Sequence, residues 1–106
     1  MDQNGPLMIL LNTKGPGKQR YFFCHPAETL LGRHESIHIS IPNDSLLSEL
    51  HARVYFDPQL KRWMLEDLQS EHGTFLKITE FDDAFILAAG DVIVAGCTTF
   101  RVLAQS

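Results

Sequence analysis

The feature that most constrains this chain is a cadence. Short runs rich in β-branched, aromatic and aliphatic residues recur about every 8–12 residues, separated by clusters of turn formers. The runs are Leu7–Leu11, Arg20–His25, Thr29–Gly32, His38–Ile41, Ala52–Asp57, Arg62–Asp67, Thr74–Ile78, Phe85–Leu87, Asp91–Ala95 and Thr98–Leu103. Between them lie Gly15-Pro16-Gly17, Pro42-Asn43-Asp44, Asp57-Pro58, Ala89-Gly90-Asp91 and Gly96, all residue types with a mechanical reason to turn the chain. Such a cadence predicts an all-β sandwich or barrel. The one stretch that reads as helical is Ser45–His51, which begins on a capping residue and contains no breaker, though it is long enough for only one or two turns.

Alternation is clearest in mid-chain. Ala52, Val54 and Phe56 share one face of a strand, with Arg53, Tyr55 and Asp57 on the other. In the next run Trp63 and Leu65 point inward while Arg62, Met64 and Glu66 point outward. With Asp57–Lys61 between them, the two runs predict an antiparallel hairpin with a longer loop.

The chain has 106 residues, which fits a single domain over 1–106 with its core at about 6–104. Its net charge of -4, with scattered basic residues, argues against a nucleic-acid partner, since phosphate backbones are bound by clustered Lys and Arg. No apolar run is long enough to span a bilayer, and the first residues lack the basic and apolar regions of an export signal, so neither a membrane partner nor secretion is expected. Cys24 and Cys97 each lie in an apolar stretch without a CxxC partner, which reads as reduced and buried. An intracellular location follows, nucleus and cytoplasm being left open.

His34-Glu35-Ser36-Ile37-His38 satisfies the H-E-x-x-H pattern of zinc metalloproteases. That chemistry requires a helix, where positions four apart put both imidazoles on one face and the Glu beside a zinc-bound water. Here the pattern runs into Ile39-Ser40-Ile41-Pro42, whose β-branched residues alternate, so the histidines are expected in a loop and a strand. The protease reading is therefore the remote alternative. No catalytic residue, metal site or cofactor is expected.

A more informative constellation is Leu30-Leu31-Gly32-Arg33, then Ser48-Glu49-Leu50-His51-Ala52, Trp63-Met64-Leu65-Glu66-Asp67, Ser70-Glu71-His72-Gly73-Thr74, and lastly Leu87 with Gly90-Asp91-Val92-Ile93 and Phe100-Arg101-Val102. In order and spacing it resembles the forkhead-associated (FHA) domain, whose pattern is Gly-Arg, Ser-x-x-His, Ser-x-Asn-Gly-Thr, Gly-Asp and a closing apolar strand. The resemblance implies a β-sandwich of about eleven mostly antiparallel strands that recognises phosphothreonine in a partner protein, without enzymatic activity, often as part of a larger protein or complex.

Carried over residue by residue, the resemblance assigns Arg33 and Ser48 to the phosphate. A phosphothreonine brings about -1.5 to -2 charge and three strong acceptors, which the planar guanidinium fork suits. His51 is implied to buttress the loops, and Gly32, Gly73 and Thr74 to be structural, the glycines for close approach and the threonine for a hydroxyl tie. Three positions depart from the family at its binding edge. Glu49 stands where a basic or polar residue is usual, Glu71 where a hydroxyl often serves, and His72 in place of the Asn that bonds the peptide backbone. A neutral imidazole offers one donor and one acceptor and replaces an amide only in part. Charges 4 Å apart interact by about 1 kcal/mol in water and about 4 kcal/mol at an effective dielectric of 20. Two carboxylates could thus offset most of what Arg33 supplies unless they point away or pair with Arg33 and Arg53. The sequence-level reading is a phosphothreonine-peptide recognition module, the alternative being a phospho-independent interaction or assembly domain of the same fold with a degenerate phosphate pocket.

Overall fold

The structure is a computed structural model that describes residues 5–76, 79–81 and 84–105. Eleven strands form among these residues: β1 (Met8–Lys14), β2 (Tyr21–Cys24), β3 (Thr29–Gly32), β4 (Ile39–Ser40), β5 (Ala52–Asp57), β6 (Arg62–Asp67), β7 (Thr74–Leu76), β8 (Thr79–Phe81), β9 (Ala84–Ile86), β10 (Val92–Ala95) and β11 (Thr98–Gln105). They build a six-stranded sheet, in the order β2-β1-β11-β10-β7-β8, and a five-stranded sheet, β4-β3-β5-β6-β9. Pairing is antiparallel except between β3 and β4, where Leu31 faces Ile39 in a parallel register. The fold class is a β-sandwich, one of the two all-β classes that the cadence of the chain predicts and the one that the FHA resemblance implies.

The alternating apolar positions of both sheets meet in one core. Trp63, Phe100, Leu10, Leu65, Val54, Ile93 and Val102 are fully buried there, and edge-to-face ring pairs join Phe56 to Trp63 at 5.6 Å and Phe22 to Phe100 at 6.1 Å. Inward-facing alternation on β5 and β6 thus places Val54, Trp63 and Leu65 as the pattern requires.

Some local expectations are corrected. Ser45–His51 forms turns, not a helix. The His51 amide, which a helix would direct to the Leu47 carbonyl, donates instead to the Leu31 carbonyl of β3, and the Leu47 carbonyl accepts Arg33 Nε, so the i to i−4 bond that would close the turn is not made. Met64, read as outward, is only 7% exposed. β6 is an interior strand, and its register sets Met64 between Tyr55 of β5 and Ile86 of β9. Cys24 is buried but Cys97 is exposed, because it follows Gly96 in the tight β10–β11 turn rather than lying within a strand. Of the run Thr74–Ile78, Thr74–Leu76 forms β7, which pairs antiparallel with β8 so that Thr74 lies opposite Phe81. Ile78 itself lies outside the described residues.

Strand direction decides where function can sit. The end of β3, the start of β5, the end of β6, the start of β7 and the end of β10 fall at one end of the sandwich. The loops β3–β4 (33–38), β4–β5 (41–51) and β6–β7 (68–73) therefore emerge together.

Candidate functional site

Gly32 makes the loop cluster possible. A Cβ at this position would collide with the backbone of the β4–β5 loop, meeting the Glu49 carbonyl oxygen first, then the Glu49 carbonyl carbon at 2.8 Å and the Ser48 carbonyl oxygen at 2.9 Å. Without a side chain there, β3 runs flush against residues 48 and 49, and the amides of Arg33 and His34 donate to the carbonyls of Ser48 (3.0 Å) and Glu49 (3.3 Å).

Ser48 ties the three loops together. Its carbonyl accepts from Arg33, its amide donates to His51 Nδ1 at 3.1 Å, and its Oγ accepts the Glu71 amide of the β6–β7 loop at 2.9 Å. The Ser48 hydroxyl proton is not used by any bond among the described residues. Arg33 is half-buried. Its Nε donates to the Leu47 carbonyl at 3.0 Å, which fixes the plane of the guanidinium and leaves the terminal nitrogens without a partner among the described residues. Arg33 lines an open cavity of about 320 Å³ together with His34, Glu35, Pro42 and Glu49.

His51 is fully buried and holds both neighbouring loops. Because its Nδ1 accepts the Ser48 amide, the proton lies on Nε2, which donates to the Gly73 carbonyl at 2.9 Å. Burial pushes its pKa below the ordinary value, against smaller opposing effects from the Gly73 carbonyl and from Asp67 and Asp44. A neutral imidazole is the form this geometry uses.

The β6–β7 loop rests on a carboxylate. Asp67 Oδ1 accepts from the hydroxyls of Ser70 and Thr74, both at 2.5 Å, and Oδ2 accepts the Ser70 amide at 3.1 Å. Ser70 Oγ in turn accepts the Gly73 amide at 3.0 Å, and Gly73 has a φ of 85°, a left-handed conformation that suits glycine. This arrangement presents Glu71 and His72 outward. The β4–β5 loop has a similar anchor in Asp44, which is 1% exposed and accepts from the Leu46 amide, the Cys97 amide and the Thr98 hydroxyl.

Of the residues singled out from sequence, Arg33, Ser48, Glu49, Glu71 and His72 all lie on this loop end, with Gly32, His51, Gly73 and Thr74 beneath them. None of the glutamates pairs with Arg33 among the described residues. Glu71 is 83% exposed at its side chain and its carboxylate leans toward His72, 4.0 Å from Nε2. Arg53 is committed elsewhere, to Glu66 at 2.5 Å and Glu28 at 3.3 Å, with its guanidinium over the Tyr55 ring. Asp67 and Asp44, the two buried carboxylates that hold the loops, were not singled out as site residues. The signal available for Asp67 was its position three residues ahead of Ser70, the spacing of a side chain that caps a turn.

Residues 34–38 lie in the β3–β4 loop, so the helical face that an HExxH zinc site needs does not form. His34 Nδ1 accepts the Ser36 amide and His38 Nδ1 the Leu30 amide, which turns the two rings to separate tasks.

The family model for the FHA domain matches residues 29–96. An FHA domain whose structure concerns phosphothreonine-dependent FHA domain interactions is 25% identical, with 94% of this chain and 98% of that one aligned at a TM-score of 0.81. The FHA domain of an Arabidopsis thaliana hypothetical protein is 30% identical, covering 92% and 85% of the two chains, with a TM-score of 0.84. The FhaA FHA domain, solved complexed with the intracellular domain of Rv3910, is 26% identical over 90% and 98%, with a TM-score of 0.77. No curated protein matches the chain. With the sandwich, the loop-end geometry and the family match all in agreement, the chain belongs to the FHA-domain family.

Proposed function

We propose that this domain is a non-enzymatic phosphothreonine-peptide recognition module that mediates a phosphorylation-dependent protein–protein interaction inside the cell. The observation that carries the reading is the position of Ser48. Its carbonyl accepts the Arg33 backbone amide and its Oγ accepts the Glu71 backbone amide, so that one cation, one free hydroxyl proton and the β6–β7 loop are held together at one end of the sandwich, where Arg33 also lines an open cavity. The terminal guanidinium nitrogens would meet two phosphate oxygens and Ser48 would donate to a third. His72, half-exposed at the loop tip, would bond the peptide backbone. Buttressing by His51 and Asp67 lowers the ordering cost of binding, because the loops already hold their positions. The relative described for phosphothreonine-dependent interactions supports the same reading.

A second reading has its own observation. Glu35 and Glu49 line the Arg33 cavity and neither pairs with the guanidinium among the described residues. Their negative potential disfavours a dianion, which supports a phospho-independent interaction domain of the same fold. Titration against a degenerate phosphothreonine library, with phosphoserine and unphosphorylated controls, separates the two. The first reading expects binding confined to phosphothreonine, and binding indifferent to phosphorylation establishes the second.

A further inference from the structure

The outer faces of the two sheets differ. On the five-stranded sheet Arg53, Tyr55 and Glu66 face outward and form a charged network with Glu28, as suits a sheet face in water. On the six-stranded sheet alternation sends Met8, Leu10, Phe22, Phe100 and Val102 into the core. The outward positions beside them are Ile9 and Leu11 of β1, Tyr21 and Phe23 of β2, and Arg101 and Leu103 of β11. Only Arg101 among these six is charged. Tyr21 is 60% exposed and Phe23 68%, both on the edge strand β2, and Leu103 is 41% exposed. Val92 and Val94 continue the patch on β10. A sheet with one wet face alternates apolar-in with polar-out, so a contiguous apolar outer face marks an interaction surface.

The register supplies the second observation. Leu11 pairs with Tyr21 on one side and with Arg101 on the other. The three therefore lie in a row across β2, β1 and β11, with the ring and the guanidinium on strands about 5 Å to either side of Leu11. Arg101 has no ion-pair partner among the described residues.

We propose that this face is the interface of a homodimer, in which a second copy packs its six-stranded sheet against the first about a two-fold axis running along β1. That axis exchanges the two sides of β1. It stacks Leu11 on Leu11 and Ile9 on Ile9, seats each Tyr21 ring over the partner's Arg101, and brings Phe23 against the partner's Leu103. The patch is thus self-complementary, as an isologous contact requires, and the one cation it covers meets the face of an aromatic ring. Two sheets related in this way run aligned, about 10 Å apart. The exposed parts of Tyr21, Phe23 and Leu103, with the half-buried positions around them, give on the order of 600 Å² per copy and about 1,200 Å² in all, the lower edge of specific interfaces. The dimer is accordingly reversible, with a dissociation constant on the order of 10–100 μM. Because the axis follows β1, both loop ends point the same way and the two Arg33 cavities lie on one side of the dimer. The interface itself is independent of what that cavity binds.

Sedimentation of the unliganded domain from about 1 to 500 μM tests it. The wild type should pass from monomer to dimer across that range. Phe23→Asp should abolish the dimer, and Arg101→Glu should weaken it by at least about tenfold, since each dimer holds two copies of the ring–cation contact. Leu60→Ser, at an exposed position in the β5–β6 turn of the other sheet, should leave it unchanged. A protein that stays monomeric throughout, or a dimer that survives either Phe23→Asp or Arg101→Glu, overturns the proposal. The wild type also reports the axis without any substitution. Cys97 is exposed in the β10–β11 turn at the loop end while Cys24 is buried, so a nitroxide label attaches at Cys97. Same-side packing puts the two labels within about 30 Å of each other, and a longer distance, as in a dimer with its loop ends opposed, overturns it.

Discussion

Replacing Gly32 by alanine probes the contact on which the whole loop cluster depends. The new methyl would meet three backbone atoms of Ser48 and Glu49 closer than 3 Å, and no flexible side chain is available to give way. Either β3 or the β4–β5 loop must move, and with it the hydrogen bonds from Arg33 to Ser48 and from His34 to Glu49. Overpacking of this kind costs about 1–3 kcal/mol, and two weakened hydrogen bonds add about 1 kcal/mol each. The expected loss is therefore about 3–5 kcal/mol, a large share of the 5–15 kcal/mol typical of a domain. Trp63, the single tryptophan and fully buried, reports urea unfolding by fluorescence, and Gly5→Ala is the control, since nothing lies within 4 Å of a Cβ there. Phosphopeptide affinity should fall at least tenfold in Gly32→Ala, because Ser48 is displaced. A variant whose stability stays within about 0.5 kcal/mol of wild type, with unchanged affinity, would refute the claim that close approach at Gly32 sets the site.

Other outcomes follow from the same geometry. Burial holds the His51 pKa below 6.5 in the folded protein, so the unfolded chain takes up a proton that the native state resists. Stability should be constant above pH 6.5 and decline as the pH falls below it, and His51→Gln should remove that part of the decline in urea titrations between about pH 7.5 and about 5.5. Glu71→Thr and Glu49→Arg each remove a repulsion of about 1 kcal/mol near the phosphate, so each should tighten phosphothreonine binding by about fivefold in calorimetry, and raised salt should weaken binding; no change in either variant would mean that the carboxylates face away. Cys24 has its thiol pushed up to about 12 by burial, against a smaller lowering by Thr29, whereas Cys97 is exposed. A thiol reagent should titrate one cysteine in the native protein and two in urea.

Much of the sandwich was legible because β-structure with one buried face writes itself as alternation. Ala52, Val54, Trp63 and Leu65 could be placed inward from period alone. Met64 could not, since its burial comes from lying between β5 and β9, a fact of sheet order rather than of its own strand. Ser45–His51 misled for a related reason: local propensity allowed a turn of helix, but the His51 amide goes to the Leu31 carbonyl of β3 and the Leu47 carbonyl that would have received it is taken by the Arg33 side chain. At the site, Arg33, Ser48 and His51 stood out only through the resemblance of their string to the FHA pattern. Asp44 and Asp67 did not, because a buried carboxylate satisfied by backbone amides and hydroxyls reads in sequence like any other turn aspartate. The direction of each glutamate was equally unreadable, and only the fold could separate Glu66, committed to Arg53, from Glu49, which lines the cavity.

The central claim is that Arg33 reads a phosphate, and a double-mutant cycle tests it most directly. Binding of one phosphothreonine peptide and its unphosphorylated twin is measured by calorimetry against the wild-type domain and Arg33→Ala, with thermal melts to show that both are folded. A charge-assisted contact of this type predicts a coupling between Arg33 and the phosphate of about 1.5–3 kcal/mol, seen as phosphate selectivity that falls more than tenfold when the guanidinium is removed. A coupling near zero, with selectivity the same in both proteins or absent from both, would contradict it.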